Sequence, residues 1–257
     1  MQGQPPHPPA RSGRAGRSGG RAVRLCHRRQ PAGQGLSGQS RASARSARPV
    51  RALREATVTA GAAPARGASR PGCVAPVGDI SVWGPVDTPA GRFRLDPVRP
   101  ERDLGLIAGW MNDPAVDAFW GLAGPVERTE EQLRRQLLGD GRSRPCLGLL
   151  GDRPMSYWEV YRADLDPLAS HYPASPHDMG VHLLIGEAAD RGRGVGAALL
   201  RAVTELILAR TPRCARVVAE PDVRNGASIA AFRAAGYEKT GELELPDKRA
   251  ALLVRRR

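Results

Sequence analysis

The chain has 257 residues with a formal charge of +13, but the charge is unevenly placed. Residues 1–70 hold 14 Arg and one acid, Glu55, whereas residues 71–257 carry 25 basic and 25 acidic residues and are neutral. A segment without aromatics, rich in Gly, Pro, Ser and Arg, cannot bury enough apolar surface to offset its ordering entropy, so residues 1–80 read as a disordered basic tail and 81–257 as one domain.

Three readings fit the tail: a mis-assigned start in GC-rich DNA, which the 37:2 Arg:Lys ratio favours; a basic arm for nucleic acid; and an Arg- and Ser-rich transit peptide. The lack of aromatics leaves the second without a base-stacking platform. No run of 18 apolar residues is present, and the N-terminus has no apolar signal core, so the expected location is cytoplasmic. Cys26, Cys73, Cys146 and Cys214 are scattered without a CxxC pair, which argues against a zinc site or a disulfide frame; no metal is expected.

Within the domain, Phe93 to Val98 alternates as a strand. Asp103 to Asn112 has helical spacing, with Asp113-Pro114 as its stop. Thr129 to Leu138 reads as a second helix. Cys146 to Leu150 and Met155 to Arg162 read as strands joined by Gly151-Asp152-Arg153-Pro154. After a Pro-containing loop, Asp178 to Ile185 is a strand, Gly194 to Arg210 an apolar helix, and Arg216 to Glu220 a strand. Asn225 to Ala235 is a helix closed by Gly236, and Tyr237 to Leu243 and Arg249 to Val254 are the last strands. The predicted fold class is therefore α/β, a mixed sheet with helices on both faces.

Arg191-Gly192-Arg193-Gly194-Val195-Gly196 joins a strand to an apolar helix. Glycines allow close backbone approach, the helix start supplies unsatisfied N–H groups and a favourable dipole, and arginines add charge. This is a pyrophosphate cradle on physical grounds; a Gly-rich turn needing positive φ is the plainer reading. Gly192, Gly194 and Ala197, with Glu220 further on, also imitate a dinucleotide fingerprint, but only 37 residues follow Glu220, too few for the rest of a doubly wound sheet.

In the strand Asp178 to Ile185 the odd residues Met179, Val181, Leu183 and Ile185 are all apolar, which puts His182 on the opposite face. An imidazole there is a candidate general base, or else a hydrogen-bonded histidine on a half-exposed sheet. Asp178 lies roughly 13 Å away along the strand and cannot orient it. Glu220 ends the next strand, placed to receive a cation or assist proton transfer. Tyr157, Glu159 and Tyr161 share one strand face; they read as a substrate wall or as an exposed sheet face. His171 and His177 are weaker candidates.

The turn at 191–196 resembles the acyl-CoA signature Q/R-x-x-G-x-G/A of the GCN5-related N-acetyltransferase (GNAT) superfamily, matching at Arg191, Gly194 and Gly196. The resemblance narrows on MSYWEVYRAD (155–164), HYPASPHDMGVH (171–182), AEPDVRN (219–225), LPDKRAAL (245–252) and WMNDPAVDAFW (110–120). These are similar to siderophore-biosynthesis acyltransferases of the aerobactin hydroxylysine and mycobactin lysine types, over residues 93–254.

The resemblance implies a mostly antiparallel sheet that splays between two central strands. It implies acyl transfer from acyl-CoA, or an acyl carrier protein, to the terminal nitrogen of lysine or a related diamine, with no permanently bound cofactor and no membrane. It places the catalytic pair on His182 and Glu220. It places coenzyme A on Leu184, Arg191, Gly192, Arg193, Gly194, Gly196 and Asn225; Trp120, Tyr157, Glu159 and Tyr161 are the candidate substrate-binding residues. The superfamily's thiolate-protonating tyrosine is Phe232 here, and Leu245 to Arg249 has no derived chemistry. An aminoglycoside or polyamine acetyltransferase, and a nucleic-acid-binding protein acting through the tail, are the alternatives.

Overall fold

The computed structural model describes residues 77–257. The expected boundary at 80/81 falls inside this part: Val77 and Ile80 are buried, and the Val77 amide donates to the Gly141 carbonyl at 3.0 Å. The rest of the expected tail lies outside the described residues.

A 3-10 turn at Ile80–Trp83 precedes β1 (Val86–Thr88) and β2 (Gly91–Pro97). Three helices follow: α1 (Pro100–Met111), α2 (Pro114–Trp120) and α3 (Val126–Leu137). Then come β3 (Ser143–Leu150), β4 (Arg153–Arg162), β5 (Met179–Ile185), α4 (Val195–Arg210), β6 (Arg216–Ala219), α5 (Gly226–Ala234), β7 (Glu238–Leu245) and β8 (Lys248–Arg256).

The expected elements are present, and β1 and α2 are additional. Asp113-Pro114 does end α1, but it also opens α2. The Asp113 carboxylate accepts from the Ala115 N–H at 2.8 Å, and Pro114 fits the first helical turn, where its missing N–H costs nothing. Gly121, at φ 59°, then stops α2 after two turns.

The eight strands form one sheet in the order β1-β2-β3-β4-β5-β6-β8-β7, antiparallel except for β5 and β6. Alternation along β5 divides the core as its sequence predicts. Met179, Val181, Leu183 and Ile185 pack in the cluster holding α4 residues Leu199, Leu200, Val203 and Ile207 and, from α5, Phe232. Leu184 points the other way, among Ile107 and Met111 of α1, Trp120 of α2 and Leu133 of α3. A third cluster, with Tyr161, Tyr172, Val218 and Leu252, lies further along.

β5 and β6 pair only at Met179–Val217 and Gly180–Val218. Beyond Gly180 the two central strands part, so His182 and Leu184 lie where the sheet opens. This is the splay the family resemblance implied, and α4 begins at the far end of the same strand.

Candidate active site

Antiparallel register brings β4 and β5 together on the face covered by α1–α3. Tyr157 lies opposite Leu184, Glu159 opposite His182, and Tyr161 opposite Gly180. A Cβ on Gly180 would come within 2.2 Å of the Tyr161 ring, so glycine is what lets that ring lie across the strand. From there the Tyr161 hydroxyl donates to Glu220 Oε2 at 3.0 Å.

His182 is held on both sides. Its Nδ1 lies 2.7 Å from Glu159 Oε2 and its Nε2 lies 3.0 Å from Glu220 Oε1. Tyr161 is tilted against the imidazole with centroids 4.8 Å apart, and Trp120 meets it edge-on at 6.4 Å. Lys248 Nζ stands 3.9 Å from Glu220 Oε1, with its side chain 8% exposed.

Burial by itself would lower the proton affinity of His182. Glu220 and Glu159 outweigh that and raise its pKa to about 9. Burial would likewise raise Glu220, but His182, then Lys248 and the Tyr161 hydroxyl, hold it down at about 2. The resting pair at neutral pH is thus an imidazolium beside a carboxylate.

The expectation of a substrate wall is corrected: Tyr157, Glu159 and Tyr161 are 0%, 3% and 5% exposed. They lie inside because β4 is a central strand roofed by Trp120 and by Gln136 of α3. Gln136 Nε2 donates to Glu159 Oε1 at 2.7 Å, and the Tyr157 hydroxyl reaches the same oxygen at 3.1 Å. Glu159, not a substrate, is what meets the inner nitrogen of His182. Asp178 takes no part: it binds Arg216, Tyr172 and the Ser175 amide.

At the Gly/Arg turn, Gly192 and Gly194 adopt φ of 74° and 79°, and a Cβ on either would meet no other atom within 4 Å. Backbone conformation therefore demands glycine here. Gly194 caps α4 without any side-chain hydrogen bond, and Gly196 follows in the first turn against Ile185. Arg193 is exposed beside a cleft of about 410 Å³ bordered by Arg153, Met155, Asp190 and Val195.

Arg191 faces inward, which corrects its expected role as a charged phosphate ligand. Its guanidinium donates to the Ile185 and Gly186 carbonyls and pairs with Asp113 at 2.8 Å. It fastens the turn to the start of α2. Asn225 also has a structural task, as Oδ1 accepts from the Ser228 N–H at 3.0 Å and caps α5. Phe232 is fully buried against Tyr237, so its position supplies no hydroxyl.

Gln136, Lys248 and Asp113 are not among the site residues expected from the sequence. Gln136 follows Thr129, Gln132 and Leu133 at helical spacing on the inward face of α3, a polar residue where core is expected. Lys248 is one of two lysines among 37 arginines and lies in the Leu245 to Arg249 block. Asp113 was legible only as a helix stop. Among the described residues, no group of His, Cys, Asp and Glu could hold a metal ion, and no helix is long and apolar enough to cross a membrane.

Comparisons with known proteins agree with this geometry. The family model "Acetyltransferase (GNAT) domain" matches residues 99–245. The chain is 37% identical over 163 residues to the N(6)-hydroxylysine O-acetyltransferase of Escherichia coli, covering 63% of this chain and 50% of that protein. It is 34% identical over 168 residues to the lysine N-acyltransferase MbtK of Mycobacterium sp. (strain MCS), covering 65% and 68%. The chain therefore spans half the length of the first relative and about two thirds of the second. Among solved structures, an uncharacterised Bacillus halodurans protein superposes with TM-score 0.63 at 31% identity, over 67% of this chain and 89% of that one. The aminoglycoside acetyltransferase AAC(6')-Ib in complex with coenzyme A gives TM-score 0.57 at 26% identity, over 64% and 95%.

Proposed function

The chain belongs to the acetyltransferase (GNAT) domain family, and from that premise we propose that it acylates the terminal nitrogen of lysine or a related diamine, hydroxylated or not, in hydroxamate siderophore assembly. The names of the sequence relatives support this reading. The structural observation that carries it is His182, held against Glu220 where β5 leaves β6.

The acyl-CoA would lie along the β5 edge, with its pyrophosphate on the amides of residues 192–196 and Arg193 adding charge. Its thioester carbonyl would sit beside Leu184, polarised by strand amides. The acceptor nitrogen attacks that carbon. A C–N bond forms, the C–S bond breaks, and the nitrogen's proton passes to the neutral His182 imidazole, the form reached as pH rises toward about 9. Coenzyme A departs as the thiolate and takes its proton from water, since Phe232 has none to give. Trp120 and Tyr161, buried against the His182 ring, would hold the imidazole in place behind the acceptor's reactive end. The site needs no metal for this sequence of steps.

Thiol release and product mass test the reading. Acetyl-CoA, succinyl-CoA and a long-chain acyl-CoA are each offered with lysine, N(6)-hydroxylysine and N-hydroxycadaverine. Turnover on at least one of these acceptors is expected. Turnover on aminoglycosides alone would replace this reading with antibiotic acetylation, to which the likeness to AAC(6')-Ib also points.

A further inference from the structure

Nε2 of His182 faces Glu220 and the splay; Nδ1 faces into the protein, where Glu159 is 2.7 Å away. Glu159 is 3% exposed and is gripped from three directions: by His182, by Gln136 Nε2 at 2.7 Å and by the Tyr157 hydroxyl at 3.1 Å. The Tyr157 hydroxyl also lies 3.2 Å from Gln136 Oε1, which closes the ring of contacts. α3 is thereby joined to β4 and, through Glu159, to β5.

We propose that Glu159, held by Gln136, is a positioning residue that fixes the His182 ring with Nε2 toward Glu220 and makes the docking of α3 part of the acyl-transfer machinery. The inference rests on the acyl-transfer reading above. An imidazole has a broad terminal torsion, and one anchored nitrogen leaves the ring free to turn. A carboxylate on Nδ1 selects one orientation and fixes which nitrogen is presented outward. A carboxylate buried this deeply is costly unless it is hydrogen-bonded, and groups from α3, β4 and β5 meet it. Those contacts also keep Glu159 from reaching a substrate.

The groups facing His182 define the expected pH response. β4 contributes Glu159, Tyr157 and Tyr161; the end of β6 contributes Glu220, with Lys248 of β8 behind it. α2 and α3 contribute only the neutral Trp120 and Gln136. Glu159 is one of two anions at the ring, so replacing it by an amide must weaken the hold of His182 on its proton.

The test uses the full chain with the acyl-CoA and acceptor that turn over, and the variants Glu159→Gln and Gln136→Met. For Glu159→Gln, kcat is expected to fall about 10–10²-fold with KM for acyl-CoA unchanged, and the limb of the pH profile set by His182 moves down by about one pH unit. Gln136→Met gives the same split at roughly a tenth of that loss. A limb that stays in place while only the folded fraction drops would make Glu159 a structural residue and overturn the proposal.

A second measurement needs no substrate and no variant. Nitrogen NMR of ¹⁵N-histidine-labelled wild type should show a proton on His182 Nδ1 at pH 8, in the imidazolium or in the Nδ1–H tautomer. A neutral ring protonated at Nε2 alone would overturn the clamp. If no acceptor is acylated while the NMR result holds, it is the acyl-transfer reading that fails.

Discussion

β5 carries two buried ionic clusters four residues apart, and they are built for different ends. At its start Asp178, 1% exposed, receives Arg216 Nε at 2.8 Å, the Tyr172 hydroxyl at 3.0 Å and the Ser175 amide at 2.8 Å. Arg216 also stacks over the Tyr172 ring at 5.6 Å. An arginine does not give up its proton in a protein, so this cluster holds its charge and ties the β4–β5 loop down. Around His182 the cation is an imidazole between two carboxylates, and a proton can move without any atom leaving its place. Both clusters are buried and pair a cation with carboxylate; what separates structure from chemistry is whether the cation can titrate.

The sharpest way to break that comparison is His182→Ala. Turnover is expected to fall about 10²–10⁴-fold with acyl-CoA binding nearly unchanged, as steady-state kinetics and calorimetry would report. Near-wild-type activity would remove His182 from proton transfer. Arg216→Met should do the reverse. It leaves Asp178 without its cation and costs about 3–5 kcal/mol in denaturant unfolding, while the molecules still folded keep their kcat. A smaller effect is expected from Gly180→Ala, between the two clusters. The Tyr161 ring must move off the strand, so stability falls by about 1–3 kcal/mol and the Tyr161–Glu220 contact is lost, visible as a changed pH profile.

The subtlest test is the pH dependence of stability. His182 has a folded pKa of about 9 against 6.5 unfolded, so its contribution is complete below 6.5 and is lost as pH rises through about 9. Glu220 has a folded pKa of about 2 against 4.5, so its contribution is complete above 4.5 and is lost as pH falls through about 2. The stability advantage of wild type over His182→Asn should therefore be largest between pH 4.5 and 6.5 and shrink toward pH 9. A flat difference across that range would mean that His182 is neutral in the folded protein.

Much of this is legible in the amino-acid sequence. The odd and even residues of β5 separated core from site because strand geometry has a strict period of two, and that period needs no tertiary information. The Gly/Arg turn was legible because positive φ favours glycine and helix starts favour anions. Arg191 was misassigned because charge alone does not say which way a guanidinium points. Its partners, Asp113 and the carbonyls of Ile185 and Gly186, belong to a packing arrangement. Asp113-Pro114 was legible as an end and not as a beginning, since a cap residue and a proline serve both a stop and a start.

The amino-acid sequence by itself determined the order of the elements other than β1 and α2, the face on which His182 stands and the turn where an anion can bind. All three follow from local backbone preference and short-period patterning. The tertiary structure decided who meets His182, Glu159 from the neighbouring strand and Glu220 from across the splay, and who stands behind those two, Gln136 from α3 and Lys248 from β8. Those residues lie 23, 38, 46 and 66 positions from His182 along the chain. Only strand register and helix docking bring them within bonding distance, and only burial makes their charges strong enough to set its proton.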